Sequence, residues 1–326
     1  MKISFRSFSF RHRIIASISV ALAAIPSTVS GCSVCGCSLS SDWASQGYGM
    51  SPGFDASVRC EYFDNTDLRS GLHGADRSAF SYPNDDEIQR ETLNRGTVLG
   101  LDYVGSPSWG VTAQLPFYDR FHSTIAPGDT AVSESRASGL GDLRIMARCQ
   151  KFDPSESFGL QFGFKLPTGE FTQNFATGPQ AGTPLDRGLQ LGTGTTDVLA
   201  GLSCFRRPIA NLGCFAQVLV DQPLHDRDGF TPSANLGVNG GIRYLNTSSF
   251  TPQLQLNLRW DGRERGVNAD FANSGDAVAY LSPGVTAEIA HGTRAFVFVQ
   301  LPVYQRVNGL QLEPRWTLSL GVSYKL

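Results

Sequence analysis

The sequence predicts an all-β protein, a transmembrane antiparallel up-and-down β-barrel of about 12 strands. Three observations predict it. From Arg315 to Leu326, the residues Trp316, Leu318, Leu320, Val322, Tyr324 and Leu326 are apolar, and those between them are polar, charged or glycine. That is the period-two pattern of a strand with one greasy and one wet face. The same alternation recurs upstream in segments long enough to cross a bilayer. The connections between these segments are alternately short and long, as in barrels with tight periplasmic turns and longer outer loops. A soluble sandwich also alternates, but its strands typically run ~5–6 residues and its loops keep no such order.

The chain opens with Lys2, Arg6, Arg11 and Arg13, followed by an apolar run from Ile14 to Ile25 and then by Pro26 and small residues. This is the build of a secretory signal peptide, expected over residues 1–31. Val29-Ser30-Gly31-Cys32 fits the lipobox of bacterial lipoproteins, with lipidation of Cys32, and equally suits ordinary cleavage. A periplasmic segment of residues 32–53 is expected next. Its Cys32, Cys35 and Cys37 form a Cys-x-x-Cys-x-Cys cluster. Such soft thiolates suit copper(I) or zinc, and the plainer reading is an acylated Cys32 beside an ordinary disulfide. No His follows to complete a c-type haem site, and no cofactor is expected.

Residues 54–326 are assigned to the barrel. No stretch outside the signal reaches the ~18 consecutive apolar residues of a spanning helix. The chain is rich in glycine (35) and phenylalanine (21), with a mean hydropathy of only −0.14. A barrel has this average because every second residue faces the lumen. Net charge is −2 and becomes about −6 without the four basic residues of the signal, so no nucleic-acid partner is expected.

The first strand sets Phe54, Ala56, Val58, Cys60 and Tyr62 against Asp55, Ser57, Arg59 and Glu61. A polar segment to about Glu91 follows, and then a strand with Leu93, Thr97, Leu99, Leu101 and Tyr103 on one face. It turns at Gly105-Ser106-Pro107-Ser108 into a third strand with Trp109, Val111, Ala113, Leu115 and Phe117. A loop is expected from Asp119 to Ser138. The fourth strand carries Leu143, Ile145, Ala147 and Cys149 opposite Asp142, Arg144, Met146, Arg148 and Gln150. After Asp153-Pro154-Ser155, the fifth shows Phe158, Leu160, Phe162, Phe164 and Leu166 to lipid, with Gln161 and Lys165 inside. The sixth and seventh, about Asp197 to Phe205 and Leu212 to Asp221, flank a turn. Cys204 and Cys214 on either side of it suit a cross-strand disulfide in an oxidising compartment. The eighth and ninth place Asn239, Arg243, Gln255, Asn257 and Arg259 inward. The tenth and eleventh, Val278 to Ile289 and Arg294 to Tyr304, join at His291-Gly292-Thr293, and the terminal strand is the twelfth.

Pro116, Pro167, Pro223 and Pro302 recur near the outer ends of these strands. Proline cannot donate to a ladder, so this repeat predicts a shared rim where pairing stops. The registers send Arg59, Glu61, Asp102, Arg144, Arg148, Lys165, Arg243, Arg259, Glu288, Arg315 and Lys325 into the lumen. These charges either pair and close a narrow barrel or form a constriction that selects solutes by size and charge. A barrel of about 12 strands lies between the filled ~8-stranded and the open ~16-stranded classes, so its width decides neither.

Ser138-Gly139-Leu140-Gly141-Asp142-Leu143, followed by Gly163-Phe164-Lys165-Leu166-Pro167-Thr168-Gly169-Glu170, resembles the outer-membrane proteins grouped as transporters of the phenol meta-cleavage pathway. The resemblance runs loosely from residue 54 to 326. It implies a Gram-negative outer-membrane channel or uptake role for small organic or aromatic solutes. The ending Ser319-x-Gly321-x-x-Tyr324-x-Leu326 resembles the signal read by the barrel-assembly machinery. Outer-membrane lipid and lipopolysaccharide are the other expected partners. A closed structural or adhesive barrel is the alternative. A barrel-embedded hydrolase is a third, for which His122-Ser123 and His225-Asp226 are the nearest candidates.

Overall fold

The computed structural model describes residues 52–326, apart from 154–155 and 246–248, together with Leu39 and Gln46. The expected signal segment, and Cys32, Cys35 and Cys37 with their metal and lipid readings, lie outside the described residues.

Alternating apolar and polar positions extend into fourteen strands. They are β1 (Gly53–Ser70), β2 (His73–Gly74), β3 (Ile88–Ser106), β4 (Trp109–Ile125), β5 (Ser133–Leu140), β6 (Leu143–Phe152) and β7 (Glu156–Leu166). They continue with β8 (Asp197–Ile209), β9 (Leu212–Pro223), β10 (Asn235–Tyr244), β11 (Phe250–Asp261), β12 (Asp276–Ala290), β13 (Thr293–Val307) and β14 (Leu310–Lys325). The first and last strands pair with each other, Asp55 opposite Lys325 and Ser70 opposite Leu310. Closure leaves no edge, which hydrocarbon could not satisfy. Both β5 and β6 pair with β4, end to end, with Phe117 opposite Leu140 and Gln114 opposite Arg144. Counting these two as one stave, and β2 as a two-residue addition to β1, gives twelve staves from the fourteen strands.

The outer wall is apolar. Leu99, Leu101, Phe158, Leu160, Phe162, Leu254, Leu256, Leu320 and Val322 are all exposed. A continuous belt of this kind on a monomer needs a nonaqueous solvent. Aromatic rings bound the belt at both ends. Near the short turns, Phe54 lies 4.9 Å from Tyr103, and Tyr103 lies 5.7 Å from Trp109. At the other end, Tyr62 and Trp316 are 5.5 Å apart. From Phe54 to Tyr62 is about 26 Å along the strand at ~3.3 Å per residue, and strands tilt by ~35–45° across a band ~25 Å tall.

The short connections, 107–108, 210–211 and 291–292, share one end, and 71–87, 167–196 and 262–275 lie at the other. One outer connection departs from this order: β13 and β14 run on to Val307 and Leu310 and are joined by 308–309 alone. The strands also rise further than the alternation indicates. Instead of a loop from Asp119 to Ser138, β4 continues to Ile125 and β5 begins at Ser133. Above the membrane both faces of a strand meet water or loops, so the two-residue rhythm fades there while pairing continues. The prolines mark interruptions more than a rim. Pro167 follows β7 and Pro223 ends β9. By contrast, Pro116 sits where β4 changes partner, and Pro302 sits at a register shift against Tyr280. The expected disulfide is also absent. Cys204 stands opposite Ala216 and Cys214 opposite Arg206, a diagonal offset, and both thiols are free.

Candidate functional site

The inner wall is built by the other half of each strand, and its polar residues meet in rows across the ladder. Asp102 on β3 accepts from Thr112 Oγ1 at 2.6 Å and from Arg148 Nη2 at 2.9 Å. Arg148 reaches across β4 because Gly110 lies beneath it; a Cβ there would come within 2.5 Å of the guanidinium. Arg59 pairs with Glu61 at 2.6 Å along β1. A second row sets two cations beside two anions across four strands: Arg144, Lys165, Asp197 and Asp221. Arg144 donates to Asp221 at 3.1 Å, and Lys165 pairs with Asp197.

On the far side Arg259 is buried between Asp261 and Asp276, 2.7 Å from each. Tyr280 on β12 and Glu313 on β14 are buried as well. The Arg243 guanidinium lies 4.7 Å over the Phe205 ring. Glu288 faces Arg294 across the ladder at the short-turn end. Arg315 does not join these rows. The β1–β14 pairing shifts register between Phe63 and Asp67, and there Arg315 stands 69% exposed and donates to Asp67 at 2.7 Å.

The two short motifs turn out to form a clasp. Asp142, at the break between β5 and β6, accepts from Gly169 N (3.0 Å), Thr193 N (2.9 Å) and Thr193 Oγ1 (2.8 Å). Thr168 Oγ1 donates to Gly141 O at 3.0 Å and accepts from Leu143 N at 2.9 Å. Gly169 and Gly192 lie back to back, so a Cβ on Gly169 would come within 2.7 Å of the Gly192 Cα. Both ends of connection 167–196 are thereby tied to one point on the wall.

Between those ties the connection folds into the mouth. Arg120, inward on β4, donates Nη1 to Leu189 O at 2.6 Å and to Gln190 O at 3.0 Å, and Nε to Asn94 Oδ1 at 2.6 Å. The inward ring of His122 lies 6.3 Å from Phe175. Phe175, Leu185 and Leu189 bury together as a small core. Arg187 lies over Phe171 and Phe230, 4.5 and 4.9 Å from their centroids. Close by is Glu87, 3.8 Å from His122. Burial pushes the Glu87 carboxyl up, but His122, Thr124 and Gln89 around it outweigh this and hold it below its ordinary value. Sequence reasoning missed the inward fold. The available signal was length: a connection this long is uncommon unless it packs on itself or serves a function.

Below the loop, a cavity lies against β1, β3, β4, β6, β7, β13 and β14. Asp55, Arg59, Asp102, Arg148, Arg294 and Phe296 line it. The candidate hydrolytic pairs do not assemble. His122 and Ser123 are adjacent on a strand and point to opposite faces. His122 Nδ1 is 2.8 Å from Thr92 Oγ1. His225 accepts from Thr196 N at 3.2 Å, and its Nδ1 faces Asp226 O at 2.9 Å. Among the described residues no group of three or more His, Cys, Asp or Glu is placed to hold a metal.

No family model matches the chain, and no curated protein matches it. Among solved structures it is similar to an outer membrane channel from Pseudomonas putida F1, with 12% identity and a TM-score of 0.65 over 86% of this chain and 98% of that one. It is also similar to NanC porin (11% identity, TM-score 0.46, 83% and 100% covered) and to KdgM porin (10%, 0.41, 83% and 99%). At such identity the likeness is one of fold. The chain has the architecture of an outer-membrane β-barrel, and its ring-bounded apolar belt suits that membrane.

Proposed function

We propose that the barrel is an outer-membrane channel for small solutes, and that charged side chains on its inner wall select among them. The observation that carries this reading is the cavity on the inner wall, lined by the anionic Asp55 and Asp102 and the cationic Arg59, Arg148 and Arg294. Asp102 and Arg148 face it as an ion pair and Arg59 faces it while bound to Glu61, so a solute meets paired charges more than a field of one sign. Phe296 and Met146 line the same space. An apolar body with a polar or anionic group therefore fits better than a strongly hydrated sugar. The resemblance to the meta-cleavage group points the same way, toward small organic and aromatic compounds.

The second reading, a closed structural barrel, is favoured by one observation. Gln255, Ser282, Gln300, Thr317 and Ser319 on the inner wall have no exposed surface. On the channel reading, these residues fill part of the interior and confine passage to the side of the cavity. Liposome swelling separates the two. Folded protein is expected to admit small aromatic acids faster than sugars of similar mass, and Arg148→Glu should shift permeation severalfold toward cations. Liposomes that swell with no solute would leave the closed barrel.

A further inference from the structure

Connection 167–196 brings a carboxylate into the mouth and holds it there by packing. Leu185 and Leu189 bury with Phe175, and Asp186 opens the turn Arg187–Leu189 without capping any of its amides. The core thus fixes where Asp186 stands, whatever its charge prefers. The cations next to this turn are committed elsewhere. Arg120 holds the carbonyls of Leu189 and Gln190, and Arg187 lies over the Phe171 and Phe230 rings and donates to Thr193 O at 2.9 Å. Phe175 of the same core lies against the His122 ring on β4, whose side chain is only 1% exposed. His122 Nδ1 meets Thr92 Oγ1 at 2.8 Å, while Nε2 has no hydrogen-bond partner and stands 3.8 Å from Glu87 Oε1. Ser135 on β5, across the ladder from His122, is neutral. A buried nitrogen left unpaired is costly, and a proton on Nε2 would make it both a donor and a countercharge to Glu87.

Three acidic groups set the charge around this turn. Enclosure in the mouth, and then the negative charges of Glu87 and Asp270, push the Asp186 carboxyl up to about 7. Glu87 is held below its ordinary value and stays ionised. With the connection folded in, Asp186 therefore meets Glu87 as a like charge at high pH and as a neutral acid at lower pH. Folding in takes up a proton on Asp186, because an opened connection returns it to the ordinary carboxylate range. The folded-in form is thus favoured as pH falls through about 7 and disfavoured as pH rises past it. Histidine changes charge over the same range, about pH 5 to 8, and a protonated His122 offsets the Glu87 charge that repels Asp186. Both groups act in one direction. Asp186 keeps surface on the water of the mouth, which screens part of the repulsion.

We propose that connection 167–196 is a proton-sensitive lid, which Asp186 on the lid and Glu87 and His122 at the wall keep closed in acid and loosen above neutral pH. Its effect on passage rests on the channel reading, while the motion of the lid is measured by itself. The test is hydrogen exchange on the folded, full-length protein in detergent, with protection of residues 184–190 corrected for intrinsic exchange and strand amides as the control. Wild-type protection is expected to be about tenfold higher at about pH 5.5 than at about pH 8. Asp186→Asn, which cannot ionise, should stay protected at both, and Glu87→Gln should shrink the difference to about twofold. The Asp186 side chain is exposed, so Asp186→Asn is expected to fold and to report even if Glu87→Gln does not. Single-channel steps should grow with pH as protection falls. A silent bilayer with protection that still follows pH would remove the channel reading and leave the lid. Wild-type protection that ignores pH, or a tenfold response that persists in Asp186→Asn, would overturn the proposal.

Discussion

Replacing Arg259 by methionine is expected to destabilise the folded barrel by about 3–5 kcal/mol, the usual cost of removing one partner from a buried ion pair. Its guanidinium is buried between Asp261 and Asp276, 2.7 Å from each, so its loss strands two carboxylates beside Glu313. Asp261 keeps a donor in Asn235, but Asp276 loses its charged partner on the next strand. The measurement is the temperature at which the folded band converts to the unfolded band on a gel. Adding Asp261→Asn and Asp276→Asn to Arg259→Met should recover most of the loss, because the penalty lies in the uncompensated charges. A single variant as stable as an exposed control such as Arg207→Met would show that the cluster carries no structural weight.

Asp142→Ala is expected to release connection 167–196 from the mouth. Three donors, Gly169 N, Thr193 N and Thr193 Oγ1, lose their acceptor together. Each buried donor left unpaired costs about 1–3 kcal/mol. The strand ladders do not depend on that carboxylate, so the cost falls on the loop, which should swing away before the barrel unfolds. The expected signs are protease cleavage within 170–190 and wider passage for solutes, with the folded gel band retained. Gly169→Val should act alike through sterics, since what it meets is the backbone of Gly192 and Gly141, which cannot step aside. Unchanged protection and unchanged permeation in both variants would show that the clasp holds nothing.

The membrane-spanning core of the strands was legible because lipid imposes a strict rule: every second residue must be apolar, as from Phe158 to Phe164 and from Leu254 to Trp260. Where that solvent ends, the rule ends. Ser133 to Ala137 form a paired strand beyond the apolar belt, so Ser, Glu and Arg serve on its faces and no apolar period survives. Counting by twos fails at bulges: it sends Arg315 inward, and the register shifts between Phe63 and Asp67 leave it exposed beside Asp67. The Gly-Leu-Gly-Asp and Lys-Leu-Pro-Thr-Gly segments were visible as motifs. Their role was not, because a clasp joins residues 142, 169 and 193 and no local spacing encodes that meeting. The inward face of Arg120 was hidden for a related reason. Its loop partners are backbone carbonyls, which leave no trace in side-chain pattern.

The central claim is that water and small solutes pass along the inner wall beneath the loop held by Asp142. Single-channel current across a planar bilayer tests it most directly, using protein whose folded gel band is intact. Small discrete steps are expected from the wild type, and larger ones from Asp142→Ala in the same salt. Bilayers that stay silent with both proteins, while both remain folded, would contradict it.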